Sequence, residues 1–247
     1  MTLSDNNVQR FLFGDLYDCQ LSWNSDFVFD AQVIVVMLVH DNGIEASRAI
    51  KSVLGQTGTT RFSLLIVDDT DSVEWKLHCQ ALLADNRIVL ATVPSCSVAQ
   101  ARNLALQIVK SEFSKSSWVS RLDADDELAH PCVLDEIIAE LDQCAENVCW
   151  ALAGNTLESD GLVLNRTNPA DESLLTQEGV LARLEGMAAG LPEAELPSCN
   201  LWIRTGFKAV YPDVGSAEDH WLVASLLLNQ RNQGKVLLGF VHAKYTL

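Results

Sequence analysis

Apolar strands that alternate with amphipathic helices are the dominant feature of the first half of the chain. Residues 33–39 (VIVVMLV) form an uninterrupted apolar run rich in β-branched side chains, which is typical of a strand buried on both faces of a parallel sheet. Apolar residues at helical spacing follow over 44–54. The same order of strand and helix recurs at 62–69, 73–84, 87–93, 98–110 and 117–123. This alternation predicts βαβ units with right-handed crossovers, and therefore an α/β fold.

The second half of the chain shows a less regular pattern, and the first 30 residues show none. After Pro131 the pattern predicts, in order, a helix to about 146, a strand over 147–155, a loop or hairpin over 157–172, the segment LPSCNLWIR at 196–204, a helix from about 217 to 230 and a strand over 235–241. Residues 1–30 are rich in aromatic side chains but lack clean periodicity. We predict that residues 1–30 are an extension that packs on the domain, and that residues 31–247 form a single domain.

The charge of the chain excludes several classes of partner. Asp and Glu number 33 against 17 Lys and Arg, which gives a formal net charge of −16. Nucleic-acid binding and docking on anionic lipid both require clustered cations, so we expect neither. An anionic ligand would need a metal ion, or a local cluster of basic side chains and backbone N–H groups.

The cysteines and the first residues indicate a reducing compartment. The seven cysteines are an odd set without a CxxC pair, and MTLSDNNVQR lacks the basic and apolar regions of a signal peptide. The apolar run at 33–39 is too short to cross a bilayer, which takes about 20 residues. We therefore predict free, mostly packed thiols in a cytoplasmic protein without stable membrane insertion.

Two acidic clusters lie at the ends of predicted strands. Asp68 and Asp69 end one strand, and DADDE at 123–127 ends another. Both fall on the edge of a parallel sheet where ligands bind. Carboxylates crowded on one edge repel one another, and a hard cation such as Mg²⁺ or Mn²⁺ relieves that repulsion. The alternative, above all for Asp68 and Asp69, is that the acidic residues only cap the next helix.

Two alternative roles for the DADDE cluster fail. An EF-hand loop that starts at Asp123 would need Gly and Glu where Leu128 and Leu134 stand. A phosphotransferase nucleophile of the DxDx(T/V) type would need Thr or Val where Glu127 stands. A divalent-cation site is therefore the leading interpretation of this cluster.

Four motifs together resemble the family 2 glycosyltransferases. They are the two aspartates at 68–69, AQARNLAL at 99–106, LDADDEL at 122–128 and AEDHW at 217–221, and the resemblance covers roughly residues 31–231. It implies a GT-A (Rossmann-like) fold with a mostly parallel central sheet, a nucleotide-sugar donor and Mn²⁺ or Mg²⁺. It also implies inverting transfer of the sugar to an acceptor hydroxyl of a glycan or small molecule. The nucleotide-sugar-binding half would be 31–130 and the acceptor-binding half 131–247.

The resemblance assigns donor-binding roles position by position. Asp68 resembles the aspartate that hydrogen-bonds the nucleobase, with Asp69 beside it. Val39 and His40 stand where the family's first strand ends, and His40 either contacts the base or is an ordinary surface histidine. Arg102 lies on the donor-side helix, where it either faces the nucleotide or only pairs with a nearby carboxylate.

The acidic motifs resemble the metal-binding and catalytic parts of the family. Asp123 resembles the first DXD residue, near the ribose or the donor sugar, and Asp125 resembles the metal ligand. Asp219 matches the catalytic base, and His242 is a further candidate ligand for the metal. In such a site the metal neutralises the leaving diphosphate while a carboxylate removes the acceptor's proton.

The sequence leaves two other functions open. A nucleotidyltransferase would share the nucleotide-binding domain, but residues 40–48 (HDNGIEASR) are not a glycine-rich loop with basic residues. A non-catalytic nucleotide-sugar binder would have no need of Glu218 and Asp219. Among donors, a carboxylate that accepts from a ring N–H favours UDP- or dTDP-sugars. A homodimer is compatible with the sequence.

Overall fold

The computed structural model describes residues 7–13, 17–40, 46–70, 72–159, 162–168, 170–191, 194 and 196–246. The strands are β1 (Asn7–Phe13), β2 (Tyr17–Trp23), β3 (Val33–Val39), β4 (Phe62–Asp68), β5 (Ile88–Thr92), β6 (Trp118–Arg121), β7 (Glu127–Leu128), β8 (Trp150–Ser159), β9 (Leu162–Asn168), β10 (Leu201–Arg204) and β11 (Gly234–Thr246). The helices are α1 (Ala46–Leu54), α2 (Val73–Leu82), α3 (Val98–Glu112), α4 (Val133–Leu141), α5 (Gln177–Ala188) and α6 (Glu218–Asn229). Short 3₁₀ turns lie at Glu172–Leu175, Ser198–Asn200 and Arg231–Gln233.

One sheet joins the described strands in the order β1-β2-β5-β4-β3-β6-β10-β8-β11-β7, with β9 paired to β8. Its centre, β5-β4-β3-β6, is parallel. Strands β2 and β10 join this centre in antiparallel orientation on either side. The α/β fold with a parallel sheet core, predicted from the alternation of strands and helices, is confirmed.

Burial on both faces explains the continuous apolar run of β3. Ile34 and Val36 face one hydrophobic cluster together with residues of α3, α5 and α6. Val33, Val35 and Met37 face the other cluster together with residues of α1, α2 and α4. Because successive side chains of a strand point to opposite faces, a strand covered on both sides needs an apolar residue at every position. The helices thus form two layers with the sheet between them.

The structure differs from the sequence pattern in three places. The periodicity does not predict β1 and β2, which pair with each other and extend the sheet beyond β5. The helix predicted from Pro131 to about residue 146 ends earlier, at Leu141. The predicted start of the first helix, at residue 44, lies outside the described residues. The pattern also misses α5, whose Gly179 and Gly186 lower helix propensity. A Cβ at Gly179 would meet the Ser173 backbone at 2.1 Å, so close packing requires glycine there.

The sequence predicts free cysteines and no stable membrane insertion. Within the described ranges, no helix is long and apolar enough to cross a bilayer. All seven cysteines lie in these ranges and none of them is disulfide-bonded. Cys19, Cys79 and Cys199 are buried, whereas Cys132 is exposed. Burial raises the pKa of Cys79 to about 12, so its thiol stays protonated at neutral pH.

Candidate active site

A cavity of about 300 Å³ opens beyond the carboxyl ends of β3 and β4, beside the start of α3. This is the edge of a parallel sheet at which ligands bind in open α/β folds. The predicted donor and metal residues that line the cavity are Val39, His40, Asp69, Arg102, Asp123 and Asp125. Asp68 and Asp219 are not among the lining residues. The structure therefore brings most of the predicted donor site into one cavity.

His40 and Asp69 form a polar pair on the cavity wall. Strands β3 and β4 are parallel, with Val39 opposite Asp68, so the residues that follow each strand stand side by side. His40 Nδ1 lies 2.8 Å from Asp69 Oδ1. The His40 side chain is 60% exposed, whereas that of Asp69 is 8% exposed. The carboxylate thus orients an imidazole ring that faces solvent and is accessible to a ligand.

Asp68 is buried and does not reach the cavity. Its Oδ1 accepts a hydrogen bond from the backbone N–H of Thr70 at 3.0 Å, as in a turn closed by an aspartate side chain. Burial raises the pKa of Asp68, although the hydrogen bond from Thr70 partly opposes this. The sequence places Asp68 at the nucleobase, but in the structure its neighbour Asp69 carries the carboxylate at the cavity wall.

The acidic segment after β6 folds back so that two of its carboxylates line the cavity. Arg48 donates to the backbone carbonyl of Asp125 at 2.9 Å and pairs with Glu127 at 2.8 Å, which fixes the segment against α1. Asp123 and Asp125 line the cavity, whereas Asp126 is buried. Residues 123–125 thus line the cavity, whereas Asp126 faces the protein interior.

The segment Glu218–Asp219 begins α6, as the sequence predicts. The residue before it, Ala217, has φ 59° and ψ 29°, and among the described residues it is the only non-glycine with positive φ. A left-handed alanine is unfavourable, and such residues persist where the surrounding structure holds them, often at functional sites. Glu218 is buried, and the side chain of Asp219 is 15% exposed.

Asp219 accepts hydrogen bonds on both carboxylate oxygens. Arg121 Nη2 and Ser198 Oγ donate to Asp219 Oδ2 at 3.0 and 3.1 Å, and His220 donates to Oδ1 from its backbone N–H at 2.8 Å. Burial alone would raise the pKa of Asp219. A hydrogen bond from the side chain of His220, whose Nδ1 lies 3.1 Å from Asp219 Oδ1, and the charges of Arg121 and Arg102 outweigh this effect and hold the pKa well below its ordinary value.

Two buried arginines join the acidic motifs to one another. Arg102 Nη1 pairs with Glu218 Oε1 and lies 3.8 Å from Asp219 Oδ2, while its Nη2 lies 3.6 Å from Asp123 Oδ1. Arg121 Nη2 donates to Asp123 Oδ2 and to Asp219 Oδ2, at 3.0 Å each. Arg102 thus lines the cavity and also pairs with carboxylates, and its contact with a nucleotide stays a prediction.

The sequence reasoning missed Arg121, although the sequence contains a signal for it. Arg121 ends β6, a strand that is buried along its whole length. Charged side chains are almost never fully buried unless they are paired. A basic residue in an otherwise buried strand, two positions before Asp123, therefore indicates a buried carboxylate partner.

Comparison with known proteins identifies the family. A family model described as Glycosyl transferase family 2 matches residues 34–190, more than half of the chain. The chain belongs to glycosyl transferase family 2. The match includes the predicted donor residues and Asp125, and it ends before Asp219 and His242. No curated protein sequence matches the chain.

Solved structures share the GT-A fold of this family 2 chain. The structure of residues 1–349 of S. aureus TarS superposes with a TM-score of 0.63 at 16% identity, covering 87% of this chain and 60% of that TarS fragment. The same fragment in complex with UDP-GlcNAc gives 0.62 at 17% identity, covering 87% of this chain and 58% of the fragment. The mannosyltransferase PcManGT from Pyrobaculum calidifontis, in complex with GDP-Man and Mn²⁺, gives 0.53 at 15% identity, covering 88% and 59%. The chain thus spans about three fifths of the crystallised chains in these structures.

The carboxylates at the cavity of this family 2 chain are suited to a cation that is bound by the protein and by a ligand together. In the described part of the chain, no group of three or more His, Cys, Asp or Glu side chains could hold a metal ion by itself. Mg²⁺ is usually bound through one or two carboxylates together with substrate phosphates. Asp125, with Asp123 on the same cavity, supplies carboxylates of this kind.

His242 does not lie on the cavity. It is fully buried, and its Nε2 lies 3.1 Å from the carbonyl oxygen of Arg121 and 3.3 Å from Ser120 Oγ. Its ring packs edge-on against Trp202. Burial lowers the pKa of His242 to about 4, so the ring is neutral at physiological pH. These contacts place His242 as a packing residue behind β6 and not as a ligand at the cavity.

Proposed function

We propose that this protein transfers a sugar from a nucleotide-sugar donor to an acceptor hydroxyl of a glycan or small molecule, with inversion at the sugar. The observation that carries the proposal is the single cavity that combines the His40–Asp69 pair, the Arg102 guanidinium and the carboxylates of Asp123 and Asp125. These groups match the parts of a nucleotide sugar: a base with ring N–H groups, a charged diphosphate and a hydroxylated sugar. TarS and PcManGT, which share the fold, were solved with UDP-GlcNAc and with GDP-Man and Mn²⁺.

Different residues of the cavity bind different parts of the nucleotide-sugar donor. Asp69, which is hydrogen-bonded to His40, accepts a hydrogen bond from the base. Arg102 lies where a guanidinium can bind phosphate oxygens through two parallel hydrogen bonds. Asp123 accepts hydrogen bonds from the ribose or the sugar. Asp125 would hold a divalent cation, which in such sites neutralises charge on the leaving diphosphate.

Asp219 is the proposed general base. In the inverting reaction, the acceptor oxygen forms a bond to the anomeric carbon as the bond to the diphosphate breaks, and the acceptor's proton passes to a carboxylate. The low pKa of Asp219 keeps it ionised and also makes it a weak base. Its contribution therefore comes from placing the carboxylate against the acceptor hydroxyl, which is the effect of proximity in a bound complex.

A non-catalytic nucleotide-sugar binder is the second candidate, and one observation favours it. Both oxygens of Asp219 already accept hydrogen bonds, which is typical of a structural carboxylate. In the transferase, the acceptor hydroxyl would replace Ser198 as the hydrogen-bond donor to Asp219 Oδ2, because the Ser198 hydroxyl can rotate away.

A donor screen followed by a turnover assay separates the two candidates. The purified protein is mixed with UDP-, dTDP-, GDP- and CMP-sugars, with and without Mn²⁺, and the thermal shift is measured. The donor with the largest shift is then assayed for release of the nucleoside diphosphate, with and without simple sugar acceptors. Turnover supports the transferase, whereas stabilisation by the donor without any release supports the binder.

We expect UDP- or dTDP-sugars to bind more tightly than GDP-sugars. Uracil and thymine each present one ring N–H between two carbonyl groups, which matches the single carboxylate of Asp69 oriented by His40. Replacing Asp69 with Asn should weaken binding of the nucleotide by about 10–100-fold in calorimetry, because a hydrogen bond to a charged group contributes roughly 1.5–3 kcal/mol.

Asp30→Asn is the matched control for this measurement. Asp30 is an exposed aspartate that precedes β3 at the opposite end from the cavity, where it pairs with Arg61. We expect its substitution to leave nucleotide affinity unchanged. Tighter binding of a GDP-sugar than of both pyrimidine donors would contradict the proposed base preference.

We further propose that residues 31–130 bind the nucleotide-sugar donor and residues 131–247 bind the acceptor. Every predicted donor residue on the cavity lies within 31–130, whereas Asp219 comes from the second half. The proposal for residues 1–30, an extension that packs on the domain, is supported by the pairing of β2 with β5.

A further inference from the structure

Arg121 is a buried cation at the centre of the acidic motifs. Its side chain is 5% exposed in a chain whose acidic residues outnumber its basic ones by 33 to 17. Burying an arginine is unfavourable unless carboxylates compensate its charge. Its placement therefore depends on the groups that surround it.

One nitrogen of Arg121 connects two parts of the site that are distant in sequence. Arg121 Nη2 lies 3.0 Å from Asp123 Oδ2 and 3.0 Å from Asp219 Oδ2. Asp123 lines the donor cavity, whereas Asp219 lies on α6 and does not. The guanidinium thus holds the carboxylate of α6 against the donor side of the site.

Arg102 contacts the same carboxylates but occupies a different position. It lines the donor cavity itself, so a diphosphate would compete with Glu218 and Asp219 for its guanidinium. Arg121 is not among the residues that line the donor cavity. When a donor is bound, Arg121 is therefore the cation that stays on Asp219.

We propose that Arg121 is a positioning residue for sugar transfer, which fixes the Asp219 carboxylate at the distance from Asp123 that the reaction needs. The inference rests on the proposed function, in which Asp219 is the general base. Arg121 acts through Asp219 and touches neither the donor nor the acceptor. Its loss should therefore lower kcat and leave the donor KM nearly unchanged.

The test compares Arg121→Gln and Arg121→Lys with the unmodified protein, using the nucleotide sugar selected by the screen. We expect Arg121→Gln to lower kcat by about 10²-fold, because a small misplacement of a catalytic group has effects of this size, with the donor KM changed less than about threefold. Arg121→Lys should restore about a tenth of the lost rate, because an ammonium group keeps the charge but cannot reproduce the planar fork of arginine.

Arg204 provides the matched control. It is a partly buried arginine on the neighbouring strand β10, where it stacks on Trp118 and donates to the carbonyl of Val148 at 2.7 Å. Arg204→Lys removes a similar packing arginine outside the active site. We expect it to change thermal stability while kcat stays within about twofold of the unmodified value. A purely structural role for Arg121 predicts the same result for its own variants.

A double substitution shows whether Arg121 acts through Asp219. In an Asp219→Asn background, Arg121→Gln should lower kcat by no more than about twofold further, because residues that act as one unit are not additive. An equal loss in both backgrounds would overturn the inference, as would unchanged kcat in Arg121→Gln.

Failure of the inference can be told apart from failure of the proposed function. If Asp219→Asn keeps its turnover, the base assignment fails. If Asp219→Asn is inactive and the Arg121 variants are fully active, only the inference fails. If Arg121→Gln does not fold, Arg121→Lys decides, since unchanged kcat in that variant overturns the inference as well.

Discussion

Replacing Asp219 with Asn should lower kcat by about 10²–10⁴-fold while the affinity for the donor stays nearly intact. The amide cannot take the acceptor's proton, but it still accepts a hydrogen bond and fills nearly the same volume. Because Arg121 keeps the carboxylate of Asp123, the variant should fold with lower stability. Asp219 is absent from the donor cavity lining, which is why donor binding should survive. Turnover is measured by nucleoside-diphosphate release, and binding by calorimetry on the same preparation.

Asp213→Asn is the control for this substitution. Asp213 lies in the same segment before α6, where its Oδ1 accepts a hydrogen bond from Ser97 Oγ at 3.0 Å, outside the cavity lining. It should keep nearly full activity. A folded Asp219→Asn protein with more than roughly a tenth of the normal turnover would remove Asp219 from the mechanism.

The pH dependence of the rate follows from the pKa of the same residue. A carboxyl group whose pKa lies well below its ordinary value stays ionised throughout the neutral and mildly acidic range. Protonation of Asp219 therefore contributes no acidic limb to the rate profile above about pH 5. Its contribution to folding stability has the matching sign, being present above the unfolded-state pKa of about 3.9 and lost as the pH falls toward the folded-state value.

Replacing Asp125 with Asn should abolish the metal-dependent part of nucleoside-diphosphate binding. A neutral amide is a much weaker ligand than a carboxylate for a hard cation, so we expect affinity in the presence of Mn²⁺ to fall by about 10²-fold. Calorimetry of UDP binding with Mn²⁺ and with a chelator measures this loss. Equal affinities of the unmodified protein in the two conditions would contradict the proposed cation site.

Glu127→Gln is the control for the Asp125 experiment. Glu127 follows Asp125 closely in the same acidic segment, but its carboxylate pairs with Arg48 and is not among the cavity-lining groups. We expect a change of less than about threefold in nucleotide affinity, because an exposed ion pair contributes little. An equal loss in both variants would indicate that the charge of the segment matters and not the position of Asp125.

The sequence predicts those parts of the fold in which burial determines the polarity of consecutive residues. The core strand β3 is predicted correctly because both of its faces are covered, which forces an apolar residue at every position. Helix α5 is not predicted because it contains two glycines. Gly179 lies close to Ser173 and Gly186 lies close to Ala194. The periodicity of the sequence does not show these contacts. Tertiary packing there overrides helix propensity.

The same limit applies within the site. Asp123, Ala124 and Asp125 all line the cavity, so the spacing of the two aspartates does not by itself determine which side chains face a ligand. Asp68 and Asp69 are adjacent, so their side chains diverge, and the sequence does not fix which of them faces the ligand. Arg121 depends on Asp219, a partner 98 positions away, and no local pattern contains that pairing.

The long separation between Arg121 and Asp219 constrains the order in which the protein can fold. During synthesis, β6 emerges well before α6, and until then Arg121 has Asp123 as its carboxylate partner from the same segment. Several of the groups that surround its guanidinium, among them Cys199, Tyr211 and Asp219, come from the second half of the chain. Arg121 should therefore stay in water until that half has been made, because a charged side chain is buried only together with its partners. Burial of this arginine is then a late event of folding, coupled to the docking of α6 on the nucleotide-binding half.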